Sequence, residues 1–286
     1  MNKISHLHLH PYEWLFGSFL SVTTVRLLVS GSWGMSAGFM LMAVAIILAA
    51  LATTRWPTRA LVRARLALIP VLVNVVYCEL GAVMRYLPSG NWDAALLRID
   101  RALLGETPAV SWNPAIHPAV TEVLSGCYLL FFPAVLVAFA AAILRPKPYG
   151  VRLFNGLIGI YALGFFGYTL VPAMGPHLAM PDAFDVPLTG GFLTRINATL
   201  VQKGSNHVDV FPSLHTAITV FLMGWLWRHH RRIFPVFLLP AVGLCAATLY
   251  LRYHYAVDVA AGILLAGIGL RMARNPDMSH ELHASL

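Results

Sequence analysis

The sequence predicts an all-α protein, a polytopic membrane bundle of about eight transmembrane helices, and three observations carry that expectation. Of its 286 residues, 58% are hydrophobic and 11% charged, a balance outside the range of soluble domains. Several apolar runs approach the roughly 20 residues that an α-helix needs to cross a bilayer. The basic residues gather in short connections between those runs, the distribution described by the positive-inside rule. The net charge of +8 is therefore assigned to membrane orientation, and no nucleic-acid partner is expected.

Taken in order, the first span runs from Trp14 to Val29. It follows His6, His8 and His10, read as a solvated tail, and lacks a small-residue cleavage site, so it reads as a retained helix. The turn Gly31 to Gly34 leads into a second span, Met35 to Ala52. A third runs from Leu66 to Leu87, beyond Arg55, Arg59, Arg63 and Arg65. The fourth, Ala119 to Leu144, stops at Arg145 and Lys147, and the fifth covers Arg152 to Val171. The sixth, Val210 to Trp227, takes Pro212 in its first turn, where the helical N–H groups have no partner to lose. The seventh, Ile233 to Tyr250, follows Arg228, His229, His230, Arg231 and Arg232. The eighth, His254 to Leu270, ends at Arg271 and Arg274. No repeat or linker divides the chain, so 1–286 reads as one membrane domain with its catalytic core helices in 119–271.

Eight spans place all four basic clusters on one side, which identifies it as the cytoplasm and puts both termini there. The other side receives two long connections. Pro88 to Pro118 carries Asp93, Asp100, Arg101 and Glu106, and its segment Trp92 to Leu104 has the pattern of an amphipathic surface helix. Pro172 to Asp209 carries His177, Asp182, Asp185, Arg195, Lys203 and His207. Its length suits a segment that covers a site. Arg26 and Glu79, within apolar runs, read as structural partners, whereas Arg85 lies near the outer face. Cys78, Cys127 and Cys245 lie in apolar stretches without metal-type spacing and read as packing residues.

The chemistry concentrates in two stretches, Asp209-Val210-Phe211-Pro212-Ser213-Leu214-His215-Thr216 and Arg252-Tyr253-His254-Tyr255-Ala256-Val257-Asp258. Each opens an apolar run, and the topology returns both histidines to the same face at the same depth. Asp258 follows His254 at i+4, on one helical face, where a carboxylate can fix the tautomer of an imidazole. The parts suit displacement at phosphorus, with one histidine attacking and the other protonating the leaving oxygen. The competing reading leaves both as interfacial hydrogen-bonders.

The run Phe211-Pro212-Ser213-Leu214-His215, with His254-Tyr255-Ala256-Val257-Asp258 and Gly262, resembles the type 2 phosphatidic acid phosphatase superfamily. Within it, the chain is most similar to the inositol phosphorylceramide synthase-like branch, which favours Phe-Pro-Ser-Leu-His. Asp100-Arg101-Ala102-Leu103-Leu104-Gly105 and Tyr168-Thr169-Leu170-Val171-Pro172 resemble that branch more weakly. The resemblance implies a phosphatase-type core, His254 as nucleophile, Asp258 as its orienting partner and His215 as general acid/base. Thr248 stands where the phosphatases carry an arginine, and their Lys-to-Arg-Pro motif is missing. The threonine, typical of the synthase-like branch, favours transfer over hydrolysis.

The expectation is thus a membrane lipid phosphotransferase that moves a phosphate-linked headgroup between lipids, or to a polyol, through a phosphohistidine. Its substrate would be a phospholipid or sphingolipid entering from the outer leaflet. Arg252, Ser213, Thr248, His177, Arg195 and Lys203 are the candidate substrate-binding residues. No metal-ligand cluster or nucleotide fingerprint is present in the sequence, so no metal or other cofactor is expected. The rivals are a lipid phosphate or diphosphate phosphatase and, from a different class, a transporter. Against the transporter, the polar residues sit at helix starts near one interface and not at the bilayer midplane. The compact loops point to a bacterial inner membrane, with the site on its periplasmic face.

Overall fold

A computed structural model describes residues 9–87, 90–145 and 148–274. His6, His8, Pro88 and Lys147 lie outside the described residues. The helices are α1 (Pro11–Val29), α2 (Trp33–Arg55), α3 (Arg59–Val83), α4 (Asp93–Leu104), α5 (Pro108–Ser111), α6 (Pro118–Leu129), α7 (Phe131–Leu144), α8 (Tyr149–Leu170), α9 (Pro176–Ala179), α10 (Phe192–Gly204), α11 (Leu214–His229), α12 (Phe234–Tyr250) and α13 (Ala256–Met272). Among the described residues there is no strand.

Every apolar run of the sequence becomes a helix: α1, α2, α3, the α6–α7 pair, α8, α11, α12 and α13. Among the described residues, four helical stretches are long and apolar enough to cross a membrane: Trp33–Arg55, Arg59–Val83, Pro118–Leu144 and Tyr149–Leu170. Phe234–Tyr250 is apolar but shorter.

Several ends differ from the sequence reading, each for a local reason. α3 starts at Arg59 because Thr58 caps it, its Oγ1 accepting the Leu61 amide at 3.2 Å. Arg65 is therefore helical and buried, and its Nε and Nη1 donate to Glu13 at 2.6 Å and to Thr53 at 2.8 Å. Ser213 caps α11 by accepting the Thr216 amide at 3.3 Å, which moves that helix start from Val210 to Leu214. α13 begins at Ala256, so His254 lies in the turn before the helix and does not open it.

α8 is the central helix. Its apolar window is 72% buried, against 22% for α2, and α1, α7, α11 and α13 pack around it. α12 packs on α6 and α11, α10 lies on α6, and α4 lies against α13. Two basic connections and the basic end of α13 meet at one end of the bundle. There the Tyr149 hydroxyl and the His230 ring lie 3.1 Å apart, and Arg228 donates to the Leu270 carbonyl at 3.3 Å. The other end gathers α4, α9, α10 and the starts of α11 and α13, and it holds the two histidine stretches.

Candidate active site

The end of α12 fixes the turn that carries His254. Arg252 takes the left-handed conformation at φ +67°, which a non-glycine residue adopts only under constraint. The Arg252 amide donates to the Leu249 carbonyl and that of Tyr253 to the Thr248 carbonyl, both at 3.0 Å. That pairing is a Schellman C-cap. The His254 amide also reaches the Thr248 carbonyl at 3.0 Å. Thr248 therefore holds the histidine turn through its backbone, while its hydroxyl bonds to the Cys245 carbonyl.

The starts of α11 and α13 are joined directly, since the Ser213 amide donates to the Asp258 carbonyl at 3.1 Å. Gly262 permits that approach: a methyl there would stand 2.6 Å from the Ser213 carbonyl oxygen. Gly175, at φ +85°, lets the 172–177 turn pass the Tyr253 carbonyl.

The result is a pair of facing imidazoles. The His215 and His254 ring centroids are 6.1 Å apart, and His215 is stacked on Tyr128 at 4.6 Å with Phe131 at 4.3 Å. Asp258 Oδ2 stands 3.5 Å from His254 Nδ1 and accepts the Tyr255 amide at 2.8 Å. Neither His254 Nδ1 nor Asp258 Oδ1 has a hydrogen-bond partner among the described residues. The turn before α13, and not an i,i+4 helical face, makes this pair. At 3.5 Å it is longer than a formed hydrogen bond. His254 lies outside the helices, and burial pushes its pKa down to about 4, with Asp209 and the Val210 carbonyl pulling the other way. That shift favours the neutral imidazole.

Both rings line one cavity of about 400 Å³. Its walls are mostly apolar and aromatic, including Phe132, Val135 and Leu136. Its polar groups include His177, Tyr77, Tyr128, Tyr253, Ser205 and Asp209. Among the described residues no lysine or arginine lines it.

The residues proposed from sequence for substrate binding fall in different places. His177 lines the cavity, its pKa lowered by burial, and its Nδ1 has no hydrogen-bond partner among the described residues. Ser213 and Thr248 are buried behind the histidines as backbone supports. Arg252 points away: its Nη2 donates to Asn113 Oδ1 at 2.8 Å and to the Val186 carbonyl, with its guanidinium 4.3 Å from the Phe184 ring centre. Arg195 is exposed on α10. Lys203 is exposed as well and lines a second notch with Arg85 and His207.

Two carboxylates that the sequence reading left as loop charges hold the site together. Asp100 accepts the Ala256 and Val257 amides at 2.8 and 2.9 Å. Asp93 accepts the Met174 and Gly175 amides at 2.8 and 2.9 Å and the Tyr255 hydroxyl at 3.0 Å. Both are buried on one face of α4 with Leu96. The signal was present as an acidic pair seven positions apart, two turns of helix, on the face of an apolar residue.

A model of the PAP2 superfamily matches residues 94–272. A phosphoinositol dihydroceramide synthase from Bacteroides thetaiotaomicron is 25% identical over 199 residues, covering 62% of this chain and 65% of that protein. The match thus spans less than two thirds of the relative's length. No solved structure matches the chain.

Proposed function

We propose that this chain, which belongs to the PAP2 superfamily, is a membrane lipid phosphotransferase working through a phosphohistidine on His254. The observation that carries the reading is the facing pair His215 and His254 on the wall of one cavity. His254 Nε2 attacks phosphorus, and the lipid alkoxide leaves. His215 gives that oxygen a proton, then takes one from the acceptor hydroxyl as it attacks the phosphohistidine. Asp258, facing Nδ1, steadies the charge that forms on the ring. The positive end of the α11 dipole favours the phosphate beside His215.

Transfer is favoured over hydrolysis by the cavity itself. A hydrolase needs water in line with the phosphohistidine, whereas a transferase must keep water scarce while one product leaves and the acceptor enters. The largely apolar lining, with no lysine or arginine among the described residues, supports the second case. The named activity of the Bacteroides relative supports a headgroup passed from a phospholipid to a sphingolipid-type alcohol.

The proposed topology has eight spans with both termini in the cytoplasm of a bacterial inner membrane and the site at the periplasmic face. Its support is the meeting of two basic connections and the basic end of α13 at the end of the bundle away from the histidines. The segment 172–209 would close over the site from outside, since α10 lies on α6 and its Leu200, Val201 and Gly204 line the cavity. Lipid analysis of membranes with and without the chain tests the function. A new phosphodiester lipid is expected, and accumulation of a dephosphorylated lipid alone would contradict it.

A further inference from the structure

Asp209 is the one carboxylate among the described residues that lines the His215–His254 cavity. The Tyr77 hydroxyl donates to its Oδ2 at 2.6 Å, and the Ser205 hydroxyl donates to its Oδ1 at 3.1 Å. Its field reaches both His177 and His254. The mechanism above gives it no task, and its charge repels the phosphate that the cavity is meant to hold.

That conflict resolves if the two ends of the headgroup bind at different walls. The phosphorus lies at the imidazoles, and Asp209 faces something that donates hydrogen bonds. An ionised carboxylate offers about four lone-pair sites. Tyr77 and Ser205 occupy one on each oxygen, which leaves one on each. Two free acceptors on neighbouring oxygens match a pair of adjacent hydroxyls. We propose that Asp209 is a specificity-determining residue that receives the hydroxyls of a polyol headgroup, with Tyr77 and Ser205 orienting its carboxylate.

The proposal rests on the transferase reading and deepens it. In headgroup transfer the polyol stays attached to the phosphohistidine through both half-reactions, while the lipid alcohols exchange. Its binding residues therefore belong inside the cavity beside His254, where Asp209 sits. The apolar wall of Phe132, Val135 and Leu136 is left for hydrocarbon. An ammonium headgroup would also pair with a carboxylate. The hydroxyl partners that Asp209 already has and its two-oxygen geometry favour the polyol.

The test uses the purified full-length chain in lipid nanodiscs with one fixed acceptor alcohol. Phosphatidylinositol, phosphatidylglycerol and phosphatidylethanolamine are compared as donors. Asp209→Ala should raise KM for the inositol donor by roughly 10–100-fold, the worth of hydrogen bonds to a charged group. Asp209→Asn, which keeps one acceptor oxygen, should fall between. Tyr77→Phe and Ser205→Ala should each shift the inositol-to-ethanolamine preference in the same direction by a smaller factor, without removing the carboxylate. Equal losses on all three donors would make Asp209 a structural residue and overturn the proposal. A loss confined to the ethanolamine donor would show an ammonium site and overturn it too. A wild-type chain that transfers from none of the donors would refute the transferase reading itself, and this inference with it.

Discussion

Asp100 accepts the backbone N–H of Ala256 at 2.8 Å from 156 positions away in the chain. The contact ties α4, a helix with an exposed apolar side, to the first turn of α13, two residues after His254. The Thr107 hydroxyl holds the same carboxylate at 2.7 Å. Asp93, on the same helix face, grips the 172–177 turn, and the Trp92 amide bonds to the Pro172 carbonyl at 2.9 Å. One short helix therefore fixes the two turns that bring His177 and His254 to the cavity.

Removing that clamp should misplace His254, the proposed nucleophile. Asp100→Ala is expected to lower kcat by at least about tenfold, because small displacements of a reacting group are costly. It should also cost about 1.5–3 kcal/mol of stability through the lost charge-assisted bonds. Asp100→Asn should recover part of the rate, since one oxygen can still accept. Steady-state kinetics beside thermal unfolding checks this; a fully active alanine variant would remove α4 from the account.

The pKa of about 4 for His254, against an ordinary 6.5, predicts the acid side of the pH profile. The imidazole attacks only when neutral, so the acidic limb of kcat/KM should lie well below 6.5, nearer 4. The stability effect has the same sign. Between the two values the unfolded chain binds the proton and the folded chain does not, so stability falls as pH drops through that window. A limb at 6.5 or above would show that His254 is not buried as described.

The sequence carried most of the long helices and the nearness of the two histidines, but not the way the turns are tied. Apolar runs located most of the long helices to within a few residues, but α3 begins at Arg59 and not Leu66, and no apolar run marked α10. His215, His254 and Asp258 came together because α12 runs back between α11 and α13 and returns their starts to one end of the bundle. Arg252 could not be placed from spacing. Two residues before His254 it looked like a phosphate ligand, but its left-handed backbone turns the side chain towards Asn113 and Val186. Asp93 and Asp100 were hidden for the opposite reason. An amphipathic reading sends polar residues to solvent, whereas here Asp93 and Asp100 share the buried face with Leu96.

Topology gives an independent check. A reporter after Leu286, or between Trp227 and Ile233, should be cytoplasmic, and one between Pro181 and Thr189 should be outside. An inserted reporter at Pro181–Thr189 found in the cytoplasm would overturn both the span count and the location of the site.

The role of His215 is separable from that of His254. His215→Ala should slow transfer from ordinary phospholipids by about 10²–10⁴-fold, the usual worth of general acid catalysis. Donors with an acidic leaving alcohol should lose much less, because their oxygen needs no proton. Equal losses on both kinds of donor would assign His215 to binding instead.

Covalent labelling tests the central claim most directly. Purified chain is mixed with a phospholipid labelled in its phosphate, quenched in base to preserve a phosphohistidine, and mapped by peptide. The account predicts label on His254 in the absence of acceptor, its chase into a new phosphodiester when a lipid alcohol is added, and no label in His254→Ala. Label on another residue, or transfer at the normal rate by His254→Ala, would contradict it.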